Sequence, residues 1–183
     1  MSIPNDLPPV NRYITTHDSE GKAVFSTELS EQPPRVHMGE RASFALAYTT
    51  SGSPVKLNDD ADIEGYKPYL ASPPGLTVSN GTVCRMVDFA PARPKGAMHR
   101  TVSIDYGVVI EGEIECLLDS GEKRIMKRGD ICVQRATAHA WKNLSQDKWA
   151  RMMFVLMTSD KPTVNGKELG EDVHTVEGVK KSG

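Results

Sequence analysis

No run of apolar residues in this chain is long enough to cross a bilayer. The longest near the C-terminus, "MMFVLM" (152–157), falls far short of the roughly 20 residues a helical span needs. The opening "MSIPNDLPPVNRY" lacks a cationic segment followed by an apolar core, so no secretory signal is expected, and the chain reads as soluble and cytoplasmic. An excess of one charge is missing too. The 22 Lys and Arg residues face 24 Asp and Glu, a formal net charge of -2. The basic clusters, "KRIMKR" (123–128) and the late "KK", read as solvated turn and tail charges, so neither a nucleic-acid nor a membrane partner is expected. Cysteine is scarce: Cys84, Cys116 and Cys132 are odd in number, form no CxxC pair and lie beside no histidine at zinc-finger spacing. That excludes a disulfide framework and leaves three reduced, mostly buried thiols. Helical periodicity is nearly absent as well.

What fills the chain is a series of short β-prone runs separated by turn residues, the pattern of an all-β sandwich or barrel. The runs are "KAVFST" (22–27), "ASFALAYTT" (42–50), "VCRMVDF" (83–89), "TVSIDYGVVI" (101–110) and "EIECLL" (113–118), followed by "KRIM", "ICVQ", "HAWKN" and "ARMMFVLM". "DSGE" (119–122) predicts a hairpin turn. One stretch, "NDDADIEGYKPYL" (58–70), predicts a helix capped at Asn58 and limited to two turns by Gly65 and Pro68. Residues 1–20 read as a Pro-rich arm, 21–79 as N-terminal strands and a short helix packing on a barrel of residues 80–158. Residues 159–183 read as a polar tail, either a cover or disordered.

Alternation makes residues 99–105 informative. In a strand, His99, Thr101, Ser103 and Asp105 share one face, and Arg100, Val102 and Ile104 the other. In an ordinary sandwich strand the polar set would face water. Two features favour the interior instead. The strand runs directly into "YGVVIEG" and "EIECLL", which places it mid-fold, and a second histidine recurs in "HAWKN". There Lys142 belongs outside, so His139 and Trp141 face inward. Two imidazoles and a carboxylate on one inner face form a ligand set for iron, zinc or manganese, with His99, Asp105 and His139 as the ligands. The same three residues are the candidate catalytic groups.

At this point the sequence resembles the cupins. Their first motif reads G(X)5HXH(X)3–4E(X)6G and their second G(X)5PXG(X)2H(X)3N. Anchored on Gly112, the first places Asp105 at the glutamate, His99 at the first histidine and Thr101 at the second. Gly129, His139 and Asn143 match the second, with Ala136 at its inner glycine and one residue fewer before it. The resemblance covers roughly residues 80–158 and extends to small single-domain cupins of fungal secondary-metabolite clusters. It implies a double-stranded β-helix (jelly-roll) barrel with extra N-terminal strands, and a homodimer with sheet edges covered by exchange between chains. It also implies a small-molecule substrate, a polyketide-like or aromatic carbonyl or carboxylate compound.

The chemistry so implied is metal-dependent and non-redox: decarboxylation, dehydration or isomerisation. A non-haem iron oxidoreductase or dioxygenase and a non-catalytic binding cupin are the alternatives. Thr101 for the second histidine tilts the balance from oxygenase chemistry. The candidate substrate contacts are Thr101, Trp141, Arg85, Arg100 and Tyr106. Trp141 would form an apolar wall. Arg85 and Arg151, charges in apolar strands, need a partner: a substrate anion, Asp88 or a glutamate. Arg100 faces the other way unless a bulge turns it inward, and Tyr106 is more naturally a packed aromatic. His17, His37 and His174 are expected in solvent.

Overall fold

The structure is a computed structural model that describes residues 3–174 and 182; the remainder of the polar tail, including the "KK" pair, lies outside the described residues. Among the described residues, thirteen strands and one α-helix follow in order: β1 (Thr15–His17), β2 (Ala23–Phe25), β3 (Arg35–Met38), β4 (Ala42–Ser51), α1 (Ala61–Ala71), β5 (Gly81–Phe89), β6 (Ser103–Glu111), β7 (Ile114–Leu118), β8 (Lys123–Met126), β9 (Ile131–Arg135), β10 (His139–Asn143), β11 (Ala150–Thr158), β12 (Thr163–Val164) and β13 (Lys167–Glu168). Six strands form one antiparallel sheet in the order β3-β4-β5-β11-β6-β9, and three form a second in the order β10-β7-β8. Non-consecutive neighbours such as β5-β11-β6 mark the crossed connections of a jelly roll. This is the all-β jelly-roll barrel that the sequence leads one to expect.

The apolar core lies between the two sheets. Val83, Val109 and Met152 come from the larger sheet, and Ile114, Met126 and Trp141 from the smaller. Alternation sorts the larger sheet into faces: in β6, Ser103, Asp105, Gly107 and Val109 are buried, while Tyr106 and Ile110 are exposed. Gly112 makes the turn from β6 to β7 at φ +84, where a Cβ would also stand 2.7 Å from that of Ala150.

One N-terminal element differs from expectation for a local reason. The helix begins after a 3-10 turn at Asn58–Asp60, with no side-chain cap bond, and runs through Pro68 for three turns rather than two. Tertiary packing outweighs the proline: Tyr66 is fully buried and its hydroxyl donates to the Leu46 carbonyl at 2.7 Å, while accepting from Arg12 at the same distance. The arm is anchored rather than loose. Asn5 Nδ2 donates to Asp88 Oδ2 at 2.7 Å, and Arg151 reaches the Pro8 carbonyl at 2.8 Å. Asp88 is fully buried and takes both oxygens of its carboxylate to Arg151, at 2.6 and 2.8 Å, and one also to Arg35. No helix among the described residues is long and apolar enough to cross a membrane.

Candidate active site

A cavity of about 300 Å³ opens between the sheets, and its wall includes His99, Thr101, Asp105, His139, Trp141 and Arg85. Six of the eight residues singled out from sequence therefore meet in one space. Arg100 and Tyr106 do not. Both have the opposite parity: Tyr106 is 40% exposed on the outer face of β6, and Arg100 lines a different cavity, with a guanidinium nitrogen 3.9 Å from Asp119. No bulge turns Arg100 inward, so neither residue contacts this site. Arg151 is likewise spent on Asp88, leaving Arg85 as the strand arginine that faces the cavity.

His99 does not lie within β6. It forms an isolated bridge with His139, each amide donating to the other's carbonyl at 2.9 Å, and a bend at Val102 separates it from the strand. The bridge brings the two rings to 4.4 Å between centroids, at 55°. The Nδ1 of His99 lies 3.0 Å from the Ala97 carbonyl and that of His139 2.8 Å from the Thr137 carbonyl. A carbonyl can only accept, so both Nδ1 atoms carry hydrogen and both Nε2 atoms keep a lone pair. Burial lowers the pKa of both imidazoles. The pKa of His139 falls to about 4, with the neighbouring His99 adding to the effect of burial. The pair is therefore neutral at pH 7.

An aromatic wall extends from this pair. Trp141 stands edge-on to His139 at 5.5 Å, and Phe154 edge-on to Trp141 at 5.6 Å. Phe154 needs Gly107 opposite it, since a Cβ there would lie 2.8 Å from the ring. Phe44, Arg41 and Arg93 also line the cavity, and sequence reading missed all three. Arg93 pairs with Glu40 at 2.7 Å. Phe44 is placed by the cross-strand register of β4 with β5, which no local pattern encodes. Asn143, matched to the family motif, spends its amide on the Phe89 and Lys148 carbonyls at 2.9 and 2.8 Å, and so shapes the β10–β11 turn.

On the larger sheet, Arg85 faces Phe154 and Asp105 faces Leu156, so the two charged groups flank β11 at positions two residues apart. Arg85 donates to the Gly75 and Leu76 carbonyls at 2.8 and 3.2 Å and sits 5.7 Å above the Phe44 ring. Burial pulls its pKa down to about 10, against the opposing pull of Asp105. Thr101 Oγ1 donates to Asp105 Oδ2 at 3.4 Å and accepts from Ser103 at 2.7 Å. Burial pushes the Asp105 carboxyl up to about 6, although Ser103, Thr101 and Arg85 all act to lower it.

This arrangement does not complete the expected triad. Among the described residues no group of three His, Cys, Asp or Glu side chains is placed to hold one ion. The donor chemistry of His99 and His139 suits a metal, because a backbone-tethered Nδ1 leaves Nε2 free to ligate. Asp105 belongs instead with Thr101, Ser103 and Arg85, and a residue with a ligating side chain at position 101 is missing. Two imidazoles are short of the three protein ligands of a catalytic centre.

No protein-family model matches the chain. Several known proteins do. The phomopsin biosynthesis cluster protein C' of Diaporthe leptostromiformis is 47% identical over 90% of this chain and 87% of its own length. A cupin-domain-containing oxidoreductase of Aspergillus ruber is 46% identical over 89% and 79%. This chain is a cupin. Its relatives also include the oryzines biosynthesis cluster protein J of Aspergillus oryzae, 43% identical over 96% of this chain and 98% of that protein. The cupin thus belongs with proteins of fungal biosynthesis clusters, several of them named as oxidoreductases.

Proposed function

We propose that this cupin is a small-molecule enzyme of secondary metabolism that moves a proton on a carbonyl or carboxylate compound, by isomerisation, dehydration or decarboxylation. The paired imidazoles carry the reading. Two neutral rings, each with a fixed tautomer, face one largely apolar cavity whose wall also carries Arg85 and the Asp105 carboxylate. In this reading one Nε2 accepts a proton from the substrate and the same imidazolium hands it back at a neighbouring atom, while the Nε2 of the other ring accepts a hydrogen bond from the substrate. A base with a pKa near 4 is weak in the empty cavity. An anionic substrate beside it would raise that pKa towards the working pH, so the base would be activated by the molecule it acts on. Trp141 and Phe154 would hold a flat substrate and exclude water.

A divalent iron, zinc or manganese ion expected from the sequence would have only His99 and His139 as ligands, so the proton chemistry is assigned to the imidazoles themselves. An oxidation is the second reading, favoured by the names of the relatives. The homodimer remains part of the proposal: Tyr106, Ile131 and Val133 leave the outer face of β6 and the edge strand β9 apolar and exposed, and sedimentation equilibrium would report it.

Deuterium exchange at the carbon beside the ketone of 4-oxopentanoate, followed by NMR in deuterium oxide, tests the central claim. Chelator-treated protein is expected to accelerate exchange, and His99→Gln and His139→Gln each to reduce the effect about 100-fold. Exchange at the background rate in chelated protein, or turnover that returns only with added iron and consumes dioxygen, would reject it.

A further inference from the structure

Four buried side-chain nitrogen or oxygen atoms among the described residues have no hydrogen-bond partner: Arg12 Nε, Arg85 Nε, Arg100 Nε and Asp105 Oδ1. Leaving such an atom unpaired costs about 1–3 kcal/mol, more when the group is charged. Two of the four line the same cavity, and they are of opposite kind, one donor and one acceptor. They flank β11, Arg85 opposite Phe154 and Asp105 opposite Leu156, and no ion pair joins them among the described residues. Arg85 is 6% exposed and its bonds go to neutral carbonyls, so a cation is held in the interior without a counter-charge in contact. Arg41 and Arg93 line the same space, where Asp105 is the one acidic residue. With Arg93 paired to Glu40, Arg41 and Arg85 against Asp105 leave the lining net positive, and two of its residues each keep one buried polar atom, a donor and an acceptor, unpaired.

We propose that Arg85 and Asp105 form the recognition site for a hydroxylated carboxylic acid, the carboxylate accepting from Arg85 Nε and the hydroxyl donating to Asp105 Oδ1. The proposal rests on the reading above only in taking this cavity as the substrate site; recognition itself does not depend on the histidines. A carboxylate supplies the missing counter-charge to Arg85, whereas a neutral ligand would leave it uncompensated. A hydroxyl satisfies an oxygen that a second carboxylate would repel. The aromatic faces of Trp141, Phe154 and Phe44 favour an unsaturated or aromatic body between the two polar ends. Asp105 is then a specificity residue of the cavity rather than a metal ligand.

Isothermal titration calorimetry on the full chain tests this with 3-hydroxybenzoate, benzoate, methyl 3-hydroxybenzoate and the flexible 3-hydroxyoctanoate. A hydroxy acid is expected to bind at least tenfold more tightly than the methyl ester, and 3-hydroxybenzoate several-fold more tightly than benzoate. Arg85→Lys, which keeps the charge and removes Nε–H, should reduce the preference for acid over ester. Asp105→Leu should abolish the preference for the hydroxylated acid and leave benzoate binding intact. Equal affinity for acid and ester on the unaltered chain, or no binding by either hydroxy acid, would overturn the proposal even if both variants failed to fold. His99→Gln with His139→Gln separates the two readings: binding retained with exchange lost supports both, and binding retained with exchange unaffected rejects only the proton-transfer reading.

Discussion

Replacing Asp88 by asparagine changes one buried atom and should unfold more of the molecule than any change in the cavity. The carboxylate is fully buried and serves Arg151 through two bonds, Arg35 through a third and Asn5 through a fourth. Arg151 is itself 5% exposed, so neutralising its partner leaves a guanidinium charge stranded in the interior. Breaking one side of such a buried pair costs about 3–5 kcal/mol. For a domain of this length that corresponds to a fall in melting temperature of roughly 10 °C, at about 2–4 °C per kcal/mol.

The pH dependence has a definite sign. Burial alone would raise the Asp88 pKa, but hydrogen bonds from Arg151, Asn5 and Arg35 outweigh it and hold the carboxyl below its usual range. Its contribution is therefore complete above the unfolded value near 3.9 and is lost as pH falls through the lower folded value. Urea melts of the unaltered chain and Asp88→Asn at pH 7 and pH 3 are the assay. The gap between them should be several kcal/mol at pH 7 and narrower at pH 3. A gap below about 1 kcal/mol at pH 7 would refute the idea that this ion cluster ties the N-terminal arm to the barrel.

Two further changes probe the interior. Gly107→Ala places a methyl group 2.8 Å from the Phe154 ring and 3.4 Å from Met152, so it should cost about 1–3 kcal/mol in a thermal melt. It should also impair activity by moving Trp141 against His139, and Phe154→Leu in the same chain should restore stability by making room; no rescue would mean the ring was not the obstacle. Among the thiols, Cys132 should react first with iodoacetamide at pH 7, by about tenfold over Cys84. A hydrogen bond from Cys116 outweighs burial and, with Gln134 3.4 Å away, lowers the Cys132 pKa, whereas burial raises that of Cys84. Equal labelling of both by mass spectrometry would contradict that environment.

The barrel was legible in the sequence because its signals are local. Period-2 alternation in residues 103–110, the turn glycines at 112 and 129, and "DSGE" between β7 and β8 each act within a few residues. The inward set of His99, Thr101 and Asp105 could be read the same way, even though a bend breaks the strand between them. What escaped is set by pairing across the sheets. Arg85 and Asp105 come together only because β11 threads between β5 and β6, a register that no window of sequence contains. The contact of Cys116 on β7 with Cys132 on β9 and the docking of Asn5 on Asp88 have the same origin. Alternation places a side chain on a face but not at a distance, and the expected metal triad needed the distance.

The backbone bridge between His99 and His139 joins a segment feeding the larger sheet to the first residue of a strand in the smaller one. On its other side, Arg100 exchanges a second pair of bonds with Asp172, both at 2.8 Å, so the polar tail is zipped onto the same seam. The chemistry thus sits on a closure between two half-barrels rather than on the rigid middle of either. Any breathing motion that parts the sheets here separates the imidazoles before it disturbs the core. Amide hydrogen exchange at these two residues then measures the working lifetime of the site, and whatever tightens the tail over residue 100 lengthens it.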